Sequence, residues 1–189
     1  MIPFKKNRSY RRFYESETIP QDHLLSMIEA ARYSPSSRNI QTIKYHLSNN
    51  SELNSKIFPT LAWAGYLKEW NGPIEGERPS AYITLLHDTS ISQSYSCDNG
   101  IFAQSILLRA VELEWGGCII ASIKREELSQ LLELPEHLSP IMVIALGKPK
   151  ERVVIDDVID NNIEYWRDKD GIHHVPKRTL EELVWKISK

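Results

Sequence analysis

Residues 98–120 read DNGIFAQSILLRAVELEWGGCII, and the architecture follows from this stretch. Between Gly100 and Trp115, the residues Ile101, Gln104, Ser105, Leu108, Val111 and Glu112 recur at helical spacing, which predicts a long, mostly buried helix. Gly116-Gly117 ends it, since two residues without side chains favour a turn over a helix. Cys118-Ile119-Ile120-Ala121 and Ile141 to Leu146 are short unbroken apolar runs, the pattern of strands covered on both faces. A helix over Arg125 to Leu132 is predicted between them. Together these elements predict an α/β layered core.

Working outward, Pro20 stands at the start of another helix, with Leu24, Leu25, Ile28 and Ala31 on its apolar face and Ser34-Pro35 stopping it after Tyr33. The polar stretch Ser36 to Gln41 reads as an ordered loop entering a strand at Tyr45-His46-Leu47, and Ala81 to Leu86 reads as a further strand. From Ser51 to Arg78 the pattern weakens. A helix ends near Pro59, and Gly72-Pro73 and Gly76 break the chain, so a mobile flap is expected. The spacing of Trp63, Tyr66 and Trp70 suits one face of a core helix as well as a surface that stacks on an aromatic ligand. After Gly147-Lys148-Pro149 the chain is charged and irregular, until Thr179 and Glu182 form a capping box that opens a helix from Leu180 to Ile187.

The 189 residues, 41% hydrophobic and 25% charged, suit one domain. A formal net charge of −2 argues against a nucleic-acid binder, although Lys5, Lys6, Arg8, Arg11 and Arg12 precede any acid. No run approaches the roughly 18 apolar residues of a membrane span, and Met1 to Arg12 has no apolar signal-peptide core, so a cytoplasmic protein without a membrane partner is expected. Two cysteines cannot build a disulfide scaffold and lack zinc-site spacing. Cys118 reads as a small buried hydrophobe and Cys97 as exposed. His173 and His174 are neighbours and on an extended segment point to opposite sides, so no metal site is expected.

Three polar clusters carry candidate chemistry. In Asn7-Arg8-Ser9-Tyr10-Arg11-Arg12-Phe13, Arg8 and Arg11 flank a serine and suit a phosphate with a polar sugar chain, though these seven residues alone fit a solvated basic arm or non-specific RNA binding better. Ser34-Pro35-Ser36-Ser37-Arg38-Asn39-Ile40-Gln41 offers donors and acceptors to a heteroaromatic edge, or simply ends a helix. Pro176-Lys177-Arg178, before the capped helix, is a second cationic spot or a routine basic turn.

Taken together, these three clusters resemble the nitroreductase family of FMN proteins, and so does the order of strands and helices between them. Arg8, Ser9, Arg11 and Phe13 match the family's opening Arg-Arg-Ser-x-Arg-x-Phe pattern, with Asn7 in place of its first arginine. Pro35, Ser36, Asn39 and Gln41 match its Pro-Ser-x-x-Asn-x-Gln-Pro-Trp loop, with Thr42-Ile43 where Pro-Trp is usual. Asp98 to Ile120 is similar to its central helix and glycine turn, Pro140 to Pro149 to its strand ending in Gly-x-Pro, and Pro176 to Glu182 to its closing basic turn.

The resemblance implies one α+β domain over residues 1–189, layered α/β/α around a central mixed, largely antiparallel sheet. Residues 51–78 would be the variable flap, and the tail 152–189 would be exchanged in a homodimer with FMN at the interface. It further implies an oxidoreductase that passes hydride from NADH or NADPH through FMN N5 to a small aromatic acceptor of nitro or quinone type, with no catalytic acid of its own. The implied FMN contacts are Arg8, Ser9, Arg11, Pro35, Ser36, Ser37, Asn39, Gln41, Gly117, Lys177 and Arg178. Arg8 and Arg178 would meet phosphate, and Arg11 the negative charge around N1 and O2. The competing readings are a non-catalytic FMN sensor or carrier, a nucleic-acid binder using the basic arm, and a Cys-His hydrolase.

Overall fold

The computed structural model describes residues 2–188. A basic first turn, α1 (Ile2–Lys6), leads to a two-residue strand, β1 (Phe13–Tyr14). Pro20 sits at the N-cap of α2 (Gln21–Arg32), which buries Leu24, Met27 and Ala31; Leu25, expected on that face, points outward instead. Strand β2 (Ile43–Ser48) precedes α3 (Ser51–Ile57), whose first turn is capped by the Asn50 side chain accepting from the Leu53 amide. Next come β3 (Ala81–Asp88), α4 (Asp98–Glu112), β4 (Gly116–Ile120), α5 (Arg125–Leu131) and β5 (Leu138–Pro149).

Strands β3 and β5 are the centre of the main sheet, with β2 beside β3 and β4 beside β5, all antiparallel. Strand β1 pairs antiparallel with the far end of β5, placing Phe13 opposite Pro149. An isolated parallel bridge joins Ser9 to Gly117. Because side chains alternate along a strand, the sheet builds two cores. On one face Ile83, Leu85, Ile144 and Leu146 pack with α2 and α4; on the other Tyr82, Cys118, Val143 and Ala145 pack with Ile57 of α3 and Leu128 of α5. This is the expected α+β arrangement of helices on both faces of a largely antiparallel sheet.

Beyond β5 a small second sheet forms. Strand β6 (Val153–Asp157) runs parallel to β8 (His173–Lys177), and β7 (Trp166–Arg167) lies antiparallel on the other side of β8. The polar tail thus folds back on its own chain over these residues. The capping box at Thr179 and Glu182 is present, but the helix it opens, α6 (Leu180–Leu183), ends four residues before Ile187. Leu180 and Leu183 lie on the surface, and without a packed face a short helix gains too little to continue.

Three other expectations are corrected. Helix α4 buries Phe102, Ala103, Ile106, Leu107 and Ala110, the face beside the predicted stripe; Ile101, Leu108 and Val111 are half-buried and Gln104 is exposed. Apolar residues on both faces of the helix conceal which one meets the sheet. Strand β4, expected to be covered on both faces, is uncovered at Ile119. Between Thr60 and Ala81 the aromatic segment is built of turns, with positive φ at Ala64, Gly72 and Gly76. A side chain at Gly72 would lie 2.7 Å from the Trp63 ring, so the turn closes directly on that indole.

The glycines of α4 and β4 differ in a testable way. A Cβ at Gly117 would strike the Ala145 carbonyl oxygen and lie 2.8 Å from the Leu146 side chain, whereas one at Gly100 meets nothing within 4 Å. Gly117→Ala should lower unfolding free energy by about 1–3 kcal/mol, as overpacking does. Gly100→Ala should leave stability unchanged or raise it by up to about 1 kcal/mol. Urea titration of both variants checks the pair.

Candidate functional site

The segment after α1 is tied to the sheet by its backbone: the Tyr10 amide donates to the Gly117 carbonyl at 3.1 Å, and the Lys150 amide donates to the Arg12 carbonyl at 2.9 Å. That fixes where three arginines go. Arg12 forms a fork with Glu77, Nε to Oε2 at 2.5 Å and Nη2 to Oε1 at 2.8 Å, and Lys150 joins the same carboxylate at 3.0 Å. The Arg12 hydrogen bond chiefly holds the Glu77 carboxyl down at about 2, so Arg12 is compensated at neutral pH.

Arg8 and Arg11 are not. Arg8 Nη2 donates to the Phe4 carbonyl at 2.8 Å, and Arg11 Nη1 lies 3.2 Å from both the Ser9 carbonyl and His173 Nε2. All of these are neutral acceptors. The two guanidiniums line a cleft of about 270 Å³ with Asn7, Ser9, Tyr165, His173 and Lys177. Buried Arg8 Nε and His173 Nδ1 have no hydrogen-bond partner among the described residues. Uncompensated cations and unsatisfied donors around one small cleft make an anion site.

Strand parity decides which tail residues reach this cleft. On β8 the alternating residues His173, Val175 and Lys177 line it, while His174 and Pro176 line a groove on the opposite side of the strand. The two histidines therefore do point apart, as expected. Of the predicted basic pair, Lys177 is at the cleft and Arg178 is not among its lining residues: Arg178 Nη1 meets Asn161 Oδ1 at 3.1 Å and Glu182 Oε1 at 3.3 Å. Gly117 is buried and serves from below, its carbonyl taken by Tyr10.

Beneath the cleft lies Glu151, whose side chain is fully buried. It accepts from the Arg11 backbone amide and, at 3.0 Å, from Arg167 Nη2. Arg167 also lies 4.1 Å over the Trp70 ring, and Tyr66 meets Tyr165 edge-on at 4.9 Å. The aromatic segment thus leans on β7 and on the wall of the cleft. Sequence reasoning missed Tyr165 and Glu151 altogether and weighed His173 only as a metal ligand. The available signal was the period of two from His173 to Lys177.

The second predicted cluster is elsewhere. Asn39 and Gln41 line a separate cleft of about 330 Å³ with Ile43, Tyr45 and Phe102. Pro35, Ser36 and Ser37 are not among its lining residues. Asp98, at the first turn of α4 and only 2% exposed, accepts from Ser36 Oγ at 2.6 Å and from the Ser37 amide at 2.8 Å. The Gln41 amide in turn donates to Ser36 Oγ at 3.0 Å. Arg38, Asn39 and Gln41 have φ of 51°, 55° and 57°, a left-handed conformation that costs most for Arg and Gln. Such strain collects at ligand-binding loops.

Across β8, His174 joins all three strands of the small sheet. Its Nδ1 is 2.8 Å from Asp156 and its Nε2 3.4 Å from Asp168, and its ring stacks on Trp166 at 4.1 Å. Burial pulls its pKa down, but the hydrogen bonds to both aspartates outweigh this and raise it above the ordinary value of 6.5. A pKa raised by folding stabilises the fold fully below the unfolded value, and the effect fades as pH rises through the folded value. His174→Gln should therefore melt below wild type at about pH 5.5, and the gap between the two should narrow as pH rises above the ordinary imidazole value.

Comparison with known proteins places this geometry. A family model described as the nitroreductase family matches residues 5–70 and 90–148. An NADPH-dependent oxidoreductase of Staphylococcus saprophyticus is 25% identical over 188 residues, covering 88% of this chain and 74% of its own. Among solved structures, an FMN-dependent nitroreductase of Clostridium difficile superposes with a TM-score of 0.66 at 24% identity, covering 80% of this chain and 89% of its own. The NADPH:FMN oxidoreductase of Vibrio harveyi gives a TM-score of 0.67 at 20% identity, covering 100% of this chain and 76% of its own. From its basic opening segment to the end of its central sheet, this chain belongs to the nitroreductase family.

Proposed function

We propose that this protein is an FMN-dependent oxidoreductase that takes hydride from NADH or NADPH and passes it to a small aromatic acceptor of nitro or quinone type. The observation that carries the reading is the cleft in which Arg8, Arg11 and Lys177 meet with no carboxylate paired to them among the described residues. That donor set fits a phosphate: the guanidiniums can bind two oxygens each, and Ser9 adds a hydroxyl. When bound, FMN supplies hydride transfer at N5. Arg8 and Lys177 would hold the phosphate end, and Arg11 would stabilise negative charge on the cofactor. Arg178 would add long-range attraction from beyond the cleft. Asn39 and Gln41 would present amides to the flavin ring, and the aromatic residues of 51–78 would bear on the choice of acceptor.

The two clusters line separate clefts: the Ser36–Gln41 loop is tied to Asp98 at the first turn of α4, whereas Ser9 and Tyr10 are tied to Gly117 beyond its last turn. We read each as half of a site completed by a second copy, giving a C2 homodimer with two equivalent flavin sites. Exposed apolar residues at the C-terminal end, Leu180, Leu183, Ile187 and the 93% exposed Trp185, favour such a cover. Sedimentation should return about twice the 21.9 kDa of one chain. A monomer at micromolar concentration would remove the shared-site reading.

The first test is the visible spectrum of the protein purified from cells. It should be yellow and should bleach on adding NADH or NADPH without oxygen. Arg11→Ala and Lys177→Ala should each weaken FMN binding by about tenfold or more, the scale of a lost charge-assisted contact. Arg178→Ala should cost less than about threefold, because exposed charges act through screened water. Bound flavin that never bleaches would leave a carrier or sensor, and a colourless protein that takes up no FMN overturns the proposal.

A further inference from the structure

The contact between Arg11 and His173 fixes more than a position. A guanidinium only donates, so at 3.2 Å from Arg11 Nη1 the His173 Nε2 must accept, which puts the imidazole proton on Nδ1. His173 has no exposed surface, its backbone amide donates to the Arg152 carbonyl at 2.9 Å, and its ring packs 5.3 Å from Tyr165. Tyr165 also lies under Arg11, 5.0 Å from the guanidinium carbon. Arg11 Nη1 is thus held by the Ser9 carbonyl and His173, while Arg11 Nε and Nη2 make no hydrogen bond to another described residue.

The choice of partner matters. Arg12 is paired with Glu77 and Arg167 with Glu151, so those charges are compensated within the protein. Arg11 is held instead by neutral groups alone. We propose that His173 is a positioning residue for the anion-binding arginine, aiming the Nε and Nη2 edge of Arg11 into the cleft without cancelling its charge. This rests on the FMN reading above. The groups acting on His173 are consistent with it: burial, then Arg11, Arg167 and His174, push its pKa down to about 4. The imidazole is therefore a neutral acceptor at neutral pH.

The test is a series at position 173 in the full-length protein, read by FMN dissociation constants and by the ratio of variant to wild type across pH, which cancels the titration of the phosphate itself. His173→Gln keeps a neutral acceptor and should bind within about threefold of wild type. His173→Phe should bind about tenfold more weakly, and His173→Glu equally so at pH 8, since a carboxylate restores the hydrogen bond but neutralises Arg11. The Glu variant should then regain affinity as pH falls and its side chain is protonated. A purely structural role would rank the variants by fit and give no such recovery. Equal binding by wild type, Phe and Glu variants would overturn the inference.

Nitrogen NMR of the flavin-free protein gives an independent arm. His173 should carry its proton on Nδ1, and the Arg11 side-chain signal should change in His173→Phe; a proton on Nε2 overturns the inference whatever FMN does. If wild type takes up no FMN, the cofactor reading falls by itself. The Arg11 side-chain signal then decides alone, and one unchanged between wild type and His173→Phe overturns the role of His173.

Discussion

The Glu151 carboxylate is cut off from solvent, so both of its oxygens must be satisfied inside the protein or the charge would be very costly. One takes the backbone amide of Arg11, and the other takes the guanidinium of Arg167. Its neighbours add backbone ties in both directions, Lys150 to Arg12 and Arg152 to His173. Three pieces of chain far apart in sequence therefore converge just beyond β5: the basic opening segment, the end of the main sheet and the small second sheet. The cleft exists because they meet. Removing the carboxylate would leave the partly buried Arg167 unpaired and free the segment that bears Arg8 and Arg11, so cleft and fold would fail together.

The parts of the fold legible in the sequence are those in which one force dominates. β5 is buried on both faces from Val143 to Leu146, and an unbroken apolar run reports this directly. Helices α2 and α4 are long enough for their period to stand out, yet the burial of each face was misplaced at Leu25 and along Ile101, Leu108 and Val111, because partly covered apolar residues blur the stripe. The segment from Trp63 to Trp70 has the spacing of a helix but takes its shape from packing on Arg167 and Tyr165, residues about a hundred positions away. No local pattern encodes that.

The candidate site shows the same division. The sequence motifs mark Arg8, Ser9, Arg11, Asn39 and Gln41, all of which line clefts, but they do not distinguish a compensated cation from an uncompensated one. Arg12 looks like Arg11 until Glu77 is placed beside it. The loop at Ser36 to Gln41 offers another case: Ser36 and Ser37, which read as ligand donors, are engaged by Asp98, and their bonds hold the strained residues that face the second cleft. Polarity in the sequence was a sound guide to the loop, but not to which of its atoms remain free.

The alternation along β8 places a constraint on how this tail can change. His173, Val175 and Lys177 look inward while His174 and Pro176 look outward, so the strand carries two interleaved surfaces. Losing or gaining one residue within the strand would exchange them beyond that point, turning Lys177 away and bringing another side chain to the cleft. A change of two would preserve the facing. Over this stretch, length variation among descendants of the chain should be tolerated in even steps and purged in odd ones, so the small sheet acts as a counting device as well as a wall.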